Sequence, residues 1–471
     1  MKPGLLSVPA AVARVVAGTV AFAGICALPV CGRAQSAPAP RTLIGMQYES
    51  YFTPNGDQPG MANPGAWKNA EAIPLLGKYS SFDVNILKQH ESWFEYLGID
   101  WLLLDWSNQL MMAKNEDTHS GADGELERSV ALLFHTYAKL AKAGKHPPKL
   151  VLMLGMGDLT RLNAEIAWTK ANFLDKPEYR NLWLNYDGKP LLAILAGMRP
   201  CPTPAGIDAP GWTLRFIGTQ LQDTHQDTCG MWSWMDGPIR QIVTYKDGLP
   251  EEAVVASASF RWPDGWLGQS ANGHLHGYSY LESWKVAFEA RPRVLQLHQW
   301  NEFDGPTTYA HPGNPYVDIY SAELGDDMEP TSMDACAYRG CGGWGYYYMN
   351  LTKALISLYR NETPGITVLA LAGTIPPATV TDSALPLKWS AIGPAPSSYT
   401  LMLDGKTVAE QLHGDSYTLN LSPLAPGKHN VTLLANGVYT CFDLDPERLT
   451  TRSKTPRKVT SAIDFVYQPA R

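Results

Sequence analysis

Trp101-Leu102-Leu103-Leu104-Asp105-Trp106 is apolar on both of its alternating faces until Asp105 near its end. A strand open to water on one side would alternate, so an unbroken run of this kind suits a parallel strand covered by helices on both sides. Seven more runs share that texture, at 43–48, 149–154, 190–195, 213–219, 230–235, 253–260 and 294–300, and this one occupies 101–105. Between them, Val84, Leu87, Phe94 and Leu97 recur at helical spacing before Gly98, and Leu126, Val130, Leu133, Tyr137 and Leu140 do so before Gly144. The stretches 278–290 and 346–360 also read as helices, whereas those around 200–210 and 220–228 are poorly helical. Eight strand-and-crossover units fit a (β/α)8 TIM barrel, placed over residues 37–365, with an open doubly wound sheet as the alternative.

The chain has 471 residues, 45% hydrophobic and 18% charged, which describes a folded globular protein rather than a disordered one. Its 38 Lys+Arg against 45 Asp+Glu give a net charge of -7 without a basic block, which removes nucleic acid as a partner. Lys2 and Arg14 precede a short apolar run ending near Val30, and Ala34 and Ser36 supply small residues for cleavage. Residues 1–36 therefore read as a signal peptide and the product as secreted or periplasmic, with no stable membrane insertion after cleavage; a lipoprotein box at Leu28-Pro29-Val30-Cys31 is spoiled by Val30. Of the seven cysteines, five lie beyond the leader. Oxidising surroundings favour Cys336–Cys341 as a disulfide, then Cys201–Cys229, which leaves Cys441 over.

After Pro364 and Ile375-Pro376-Pro377 the texture changes to alternation. Tyr399-Thr400-Leu401-Met402-Leu403 runs into Asp404-Gly405, a hairpin turn, and 417–421, 427–433 and 462–467 continue the pattern. Residues 375–471 read as a small all-β immunoglobulin or fibronectin III-like sandwich, an accessory domain.

In a TIM barrel the chemistry sits at the C-terminal ends of the strands. There the chain places Tyr48-Glu49, Asp105-Trp106, Met156-Gly157-Asp158, Gln220, Trp234-Met235-Asp236, Arg261-Trp262-Pro263-Asp264 and His298-Gln299-Trp300-Asn301-Glu302-Phe303-Asp304. Carboxylates interleaved with aromatics suit a sugar, whose polar edges take hydrogen bonds and whose C–H faces stack on rings. Glycosidic cleavage needs two carboxyl groups, one protonated and one charged. Glu302 is the first candidate, with Asp304, Asp105 and Glu49 as partners. Tyr48, Trp106, Trp234, Asp236, Trp262, Asp264, Trp266, His298, Trp300 and Asn301 are candidates for substrate binding. Five of the 15 tryptophans thus fall at strand ends.

Trp300-Asn301-Glu302-Phe303 resembles the Trp-Asn-Glu-Trp signature of glycoside hydrolase family 99 and 99-like proteins. The stretch Pro74 to Asp83, Gly98-Ile99-Asp100 through Asp105-Trp106, Asp187-Gly188-Lys189-Pro190 and Met328-Glu329-Pro330 resemble further family segments in order, over about residues 43–360. The resemblance implies a barrel enzyme that retains configuration and acts within chains on α-mannoside-like linkages. It implies Glu302 as a catalytic carboxylate. The family's second glutamate has no counterpart, since the loop here is one residue shorter with Asp304.

No cofactor and no metal is assigned. His274 and His276 lack further ligands in order, and a calcium held by Asp326, Asp327 and Glu329 stands as an unassigned alternative. Gly340 to Gly345 matches a dinucleotide-loop spelling without a preceding strand, and no GxSxG occurs. A monomer acting on a polysaccharide or glycan is expected; the alternatives are a non-catalytic glycan-binding protein or a lyase using Tyr309 or His311.

Overall fold

The computed structural model describes residues 41–52, 67, 70–107, 124–156, 158–196, 206–218, 231–233, 243–244, 252–258, 273–303, 325–337, 340–371, 379–440, 444–445, 448–452 and 457–469. The leader, Cys201, Cys229 and Cys441 lie outside them.

The eight apolar runs form eight parallel barrel strands: β1 Leu43–Tyr48, β2 Trp101–Trp106, β3 Lys149–Gly155, β4 Lys189–Leu195, β5 Thr213–Gly218, β6 Trp232–Ser233, β7 Ala253–Ser257 and β8 Val294–His298. They pair in the order β6-β5-β4-β3-β2-β1-β8-β7. The two ends of that order meet through Thr244. Its backbone pairs with that of Glu252 and Ala253 at the foot of β7, and its hydroxyl donates to the Met231 carbonyl beside β6 at 2.8 Å. The barrel is therefore nearly closed. Runs 253–260 and 294–300 end earlier than the sequence suggests, because β8 leaves the sheet at Gln299 and nothing beyond Ser257 is a described strand.

Helices cover the outside: α1 Val84–Leu97, α2 Glu125–Lys142, α3 Leu159–Thr169, α4 Tyr278–Ala290 and α5 Tyr347–Tyr359. Asp83 caps α1 by accepting from the Asn85 amide at 2.8 Å, and Gly98 ends it at φ 82°, a left-handed conformation that suits glycine. The described part of the β4–β5 link, 206–212, is turn and irregular chain without a helix.

The period of two along each strand separates two apolar layers. Met46, Tyr48, Leu102, Leu104, Trp106, Leu152 and Leu154 face outward against the helices. Trp101, Leu103, Val151, Met153, Leu191, Ala193, Trp232 and Val294 fill the lumen. Gly45 makes room there, since a Cβ at that position would lie 2.2 Å from the Trp101 ring. Toward the C-terminal mouth the lumen turns polar, with Gln296, Gln47, His298 and Asp105 buried.

Beyond the barrel a five-stranded sheet and a two-stranded sheet (384–388 with 416–420) share one buried cluster that includes Leu385, Trp389, Leu401, Leu433 and Ile463. Asp404 (φ 48°) and Gly405 (φ 74°) make the turn between Ser398–Leu403 and Lys406–Leu412. Strand Val368–Ala370 joins the regions: Val368 lies in the barrel's outer core and Leu369 in the C-terminal one. Cys336 and Cys341 are disulfide-bonded across a two-strand turn.

Candidate active site

Strands β2, β1 and β8 are adjacent, and their C-terminal ends bring Asp105, Glu49 and the segment from His298 to Phe303 to one side of the mouth. Gln47 sits at the centre. Its Nε2 donates to Glu49 Oε1 at 3.2 Å and to Asp105 Oδ2 at 3.3 Å, and its Oε1 accepts from His298 Nδ1 at 2.9 Å. One amide thus ties residues of all three strands together.

Glu49 and Asp105 are 3% and 6% exposed. Burial, reinforced by the nearby charges of Asp105 and Glu302, holds the Glu49 carboxyl well above its ordinary range. Burial also raises Asp105, against the hydrogen bonds from Ser107, whose amide donates at 2.7 Å, and against the positive influence of His298. Both buried carboxyls are thus pushed toward their protonated forms, Glu49 the further of the two.

Glu302 is half-buried, and a dense set of contacts holds its loop. Asp327 accepts from the amides of both Glu302 and Phe303, the latter at 2.9 Å. Tyr51 donates its hydroxyl to the Glu302 carbonyl at 2.7 Å, and Gln299 Nε2 donates to the Glu302 carboxylate. The same Gln299 nitrogen reaches Asp326 Oδ1 at 3.1 Å. Phe303 takes φ 50°, which turns the chain at this point. Burial and the neighbouring Asp326 charge push the Asp327 carboxyl well up.

Asn301 grips the backbone of Glu49. Its Oδ1 accepts from the Glu49 amide at 2.9 Å and its Nδ2 donates to the Glu49 carbonyl at 3.0 Å. Its Nδ2 also reaches the Tyr79 hydroxyl at 3.0 Å, and Tyr79 donates to Glu329 Oε2 at 2.6 Å. His90 bridges Glu329 Oε1 and the Tyr48 hydroxyl, at 3.2 and 3.0 Å. This network lies behind the mouth. Asn301, read from the sequence as touching substrate, is buried and spends its amide on positioning Glu49.

The aromatic reading needs a larger correction. Tyr48, Trp106 and Trp300 present no open face for a sugar: Tyr48 packs edge-on against His90 and Phe94, Trp106 against Phe173, and Trp300 against His90, Trp93 and Phe94. Their rings point outward to the helices. Each of the first two adjoins an inward carboxyl, Glu49 or Asp105, and successive strand residues face opposite sides. Trp234, Asp236, Trp262, Asp264, Trp266 and Asp304 lie outside the described residues, as do Tyr309, His311 and Gln220. Asp158 caps α3 by accepting from the Arg161 amide at 3.0 Å.

Asp326, Asp327 and Glu329 do not gather into a calcium cage; they face His298, the Glu302 loop and the His90–Tyr79 pair respectively. His274 is buried between Trp344 and Tyr348, and burial lowers its imidazole to about 4. Sequence reasoning missed Gln47, Gln299, Tyr79 and His90 as site residues. Gln47 alone carried a signal, two positions before Glu49 on the same face of β1.

No helix among the described residues is long and apolar enough to cross a membrane. No protein-family model and no curated protein matches the chain. Among solved structures, a family 99 endo-alpha-mannosidase from Bacteroides thetaiotaomicron, in complex with bis-tris-propane, is 16% identical with a TM-score of 0.45 over 69% of this chain and 99% of that one. A second structure of that enzyme gives 15% and 0.45 over the same shares. A glycoside hydrolase-like protein is 13% identical, TM-score 0.40, over 70% of this chain and 96% of that one. At low identity, the chain is similar to the family 99-like glycoside hydrolase barrel.

Proposed function

We propose that this chain is an exported glycoside hydrolase that cleaves a polysaccharide or glycan at the β1–β2–β8 side of its barrel mouth. The observation that carries this reading is the asymmetry of the carboxyls. Burial beside Asp105 raises the Glu49 carboxyl well above its ordinary range, while Glu302 approaches from the neighbouring strand end and is only half-buried. Glycosidic cleavage needs that division, a proton donor for the leaving oxygen and a charged group toward the anomeric carbon. Glu49 is assigned as the acid and Glu302 as the charged carboxylate; Gln47 and Asn301 hold the acid in place.

Retention of configuration and internal cleavage of α-mannoside-like linkages rest on the likeness of Trp300-Asn301-Glu302 to the family signature. Export rests on the leader pattern in residues 1–36, and a carbohydrate-associated role for the C-terminal immunoglobulin or fibronectin III-like strands on their alternation pattern. The test is a panel of polysaccharides and glycans with the products identified by mass. Release of oligosaccharides from a mannan by the intact protein supports the reading. Binding without any product supports the glycan-binding alternative instead.

A further inference from the structure

Three side chains at the mouth converge in a way that glycosidic chemistry does not require. The nearest ligand atoms of His298, Glu302 and Asp326 all lie within 4.8 Å of one another, with His298 and Asp326 at most 1% exposed. His298 Nε2 stands 2.9 Å from Asp326 Oδ2.

The tautomer of His298 follows from its neighbours. Gln47 points its Nε2 at two carboxyls, so the oxygen of that amide is the atom facing His298 Nδ1 at 2.9 Å. An amide oxygen only accepts, so Nδ1 carries the hydrogen. Nε2 is then the ring atom turned toward Asp326, and a neutral imidazole would aim a lone pair at a carboxylate oxygen. That contact calls for a positive species, either a proton or a metal ion.

The surrounding hydrogen bonds favour the ion. Histidines that bind metals donate their other N–H to an oxygen that fixes the ring, and metal-binding carboxylates are themselves hydrogen-bonded. Gln47 performs the first task. Gln299 performs the second, one Nε2 serving both Glu302 and Asp326. We propose that His298, Glu302 and Asp326 bind one divalent cation of the zinc or manganese class, with Gln47 and Gln299 as its outer supports. One imidazole and two carboxylates match that class, and three protein ligands leave coordination positions for water or a sugar hydroxyl. Metal–ligand bonds of about 2.0–2.2 Å set ligands at most about 4.4 Å apart, a gap that rotation of the half-buried Glu302 carboxylate closes. The ion takes the Glu302 carboxylate that the hydrolase reading assigns to the anomeric carbon, so the test reads metal binding and not hydrolysis.

The test is titration of chelator-treated, tag-free protein with Zn2+ and with Mn2+ by calorimetry, with bound metal counted by elemental analysis. One ion per chain is expected, with binding abolished in Asp326→Ala and His298→Ala and weakened about 10- to 100-fold in Gln47→Leu. If either buried variant fails to fold, as judged by circular dichroism, Glu302→Gln at the half-buried ligand takes its place and should also lose the ion. The absence of stoichiometric binding by both metals would overturn the proposal. So would affinity unchanged in the folded variants, or an imidazole 15N spectrum in which His298 Nε2 still carries a proton at saturating Zn2+.

Discussion

The side-chain amide of Asn301 closes two hydrogen bonds on the backbone of Glu49, at 2.9 and 3.0 Å, across 252 residues of sequence. It fixes the end of β1 against the loop after β8, and so fixes the distance between the two carboxyls assigned to catalysis. Asn301→Ala removes both bonds and leaves a buried amide and carbonyl without this partner, at a cost of about 1–3 kcal/mol. Chemical denaturation should show that loss, and hydrolysis should fall further than the lost stability explains, because Glu49 is no longer held.

Glu49 also sets a pH dependence. Its folded carboxyl titrates well above the ordinary 4.5, so between those values the folded state binds more protons than the unfolded state. The stability from this group is fully present below the ordinary value and is lost as pH rises through the folded one. Glu49→Gln, which mimics the protonated form, should flatten that decline in a series of melting temperatures against pH. It should also abolish the proton donor and lower kcat about 10²–10⁴-fold.

Gly45 faces the lumen against Trp101, which is wholly buried and has nowhere to move. Gly45→Ala should therefore destabilise the barrel by about 1–3 kcal/mol through overpacking. Urea unfolding of the variant against the parent checks this. An unchanged midpoint would mean that Trp101 does not fill the lumen as described.

The barrel was legible because its strands are apolar on both faces, a texture that survives without knowledge of partners. The gathering of Glu49, Asp105 and the Glu302 loop on one side of the mouth was legible because all three follow strand ends; their catalytic roles are proposals. Tyr48, Trp106 and Trp300 misled, although parity within β1 and β2 already required Tyr48 and Trp106 to face away from Glu49 and Asp105. Trp300 had no such parity to read, since β8 ends at His298. Asp327, Tyr79 and His90 act on the site through contacts between residues 24 to 250 positions apart, and local pattern holds no trace of such pairings.

The most direct measurement compares the parent with Glu302→Gln on the polysaccharide that the panel identifies, with products read by mass and folding checked by circular dichroism. Glu302 is half-buried, and its amide and carbonyl contacts with Asp327 and Tyr51 survive the change, so the variant should fold. Hydrolysis should drop about 10²–10⁴-fold while glycan binding persists. A folded variant that cleaves at the parent's rate would contradict the assignment of the Glu49–Glu302 pair as the catalytic centre.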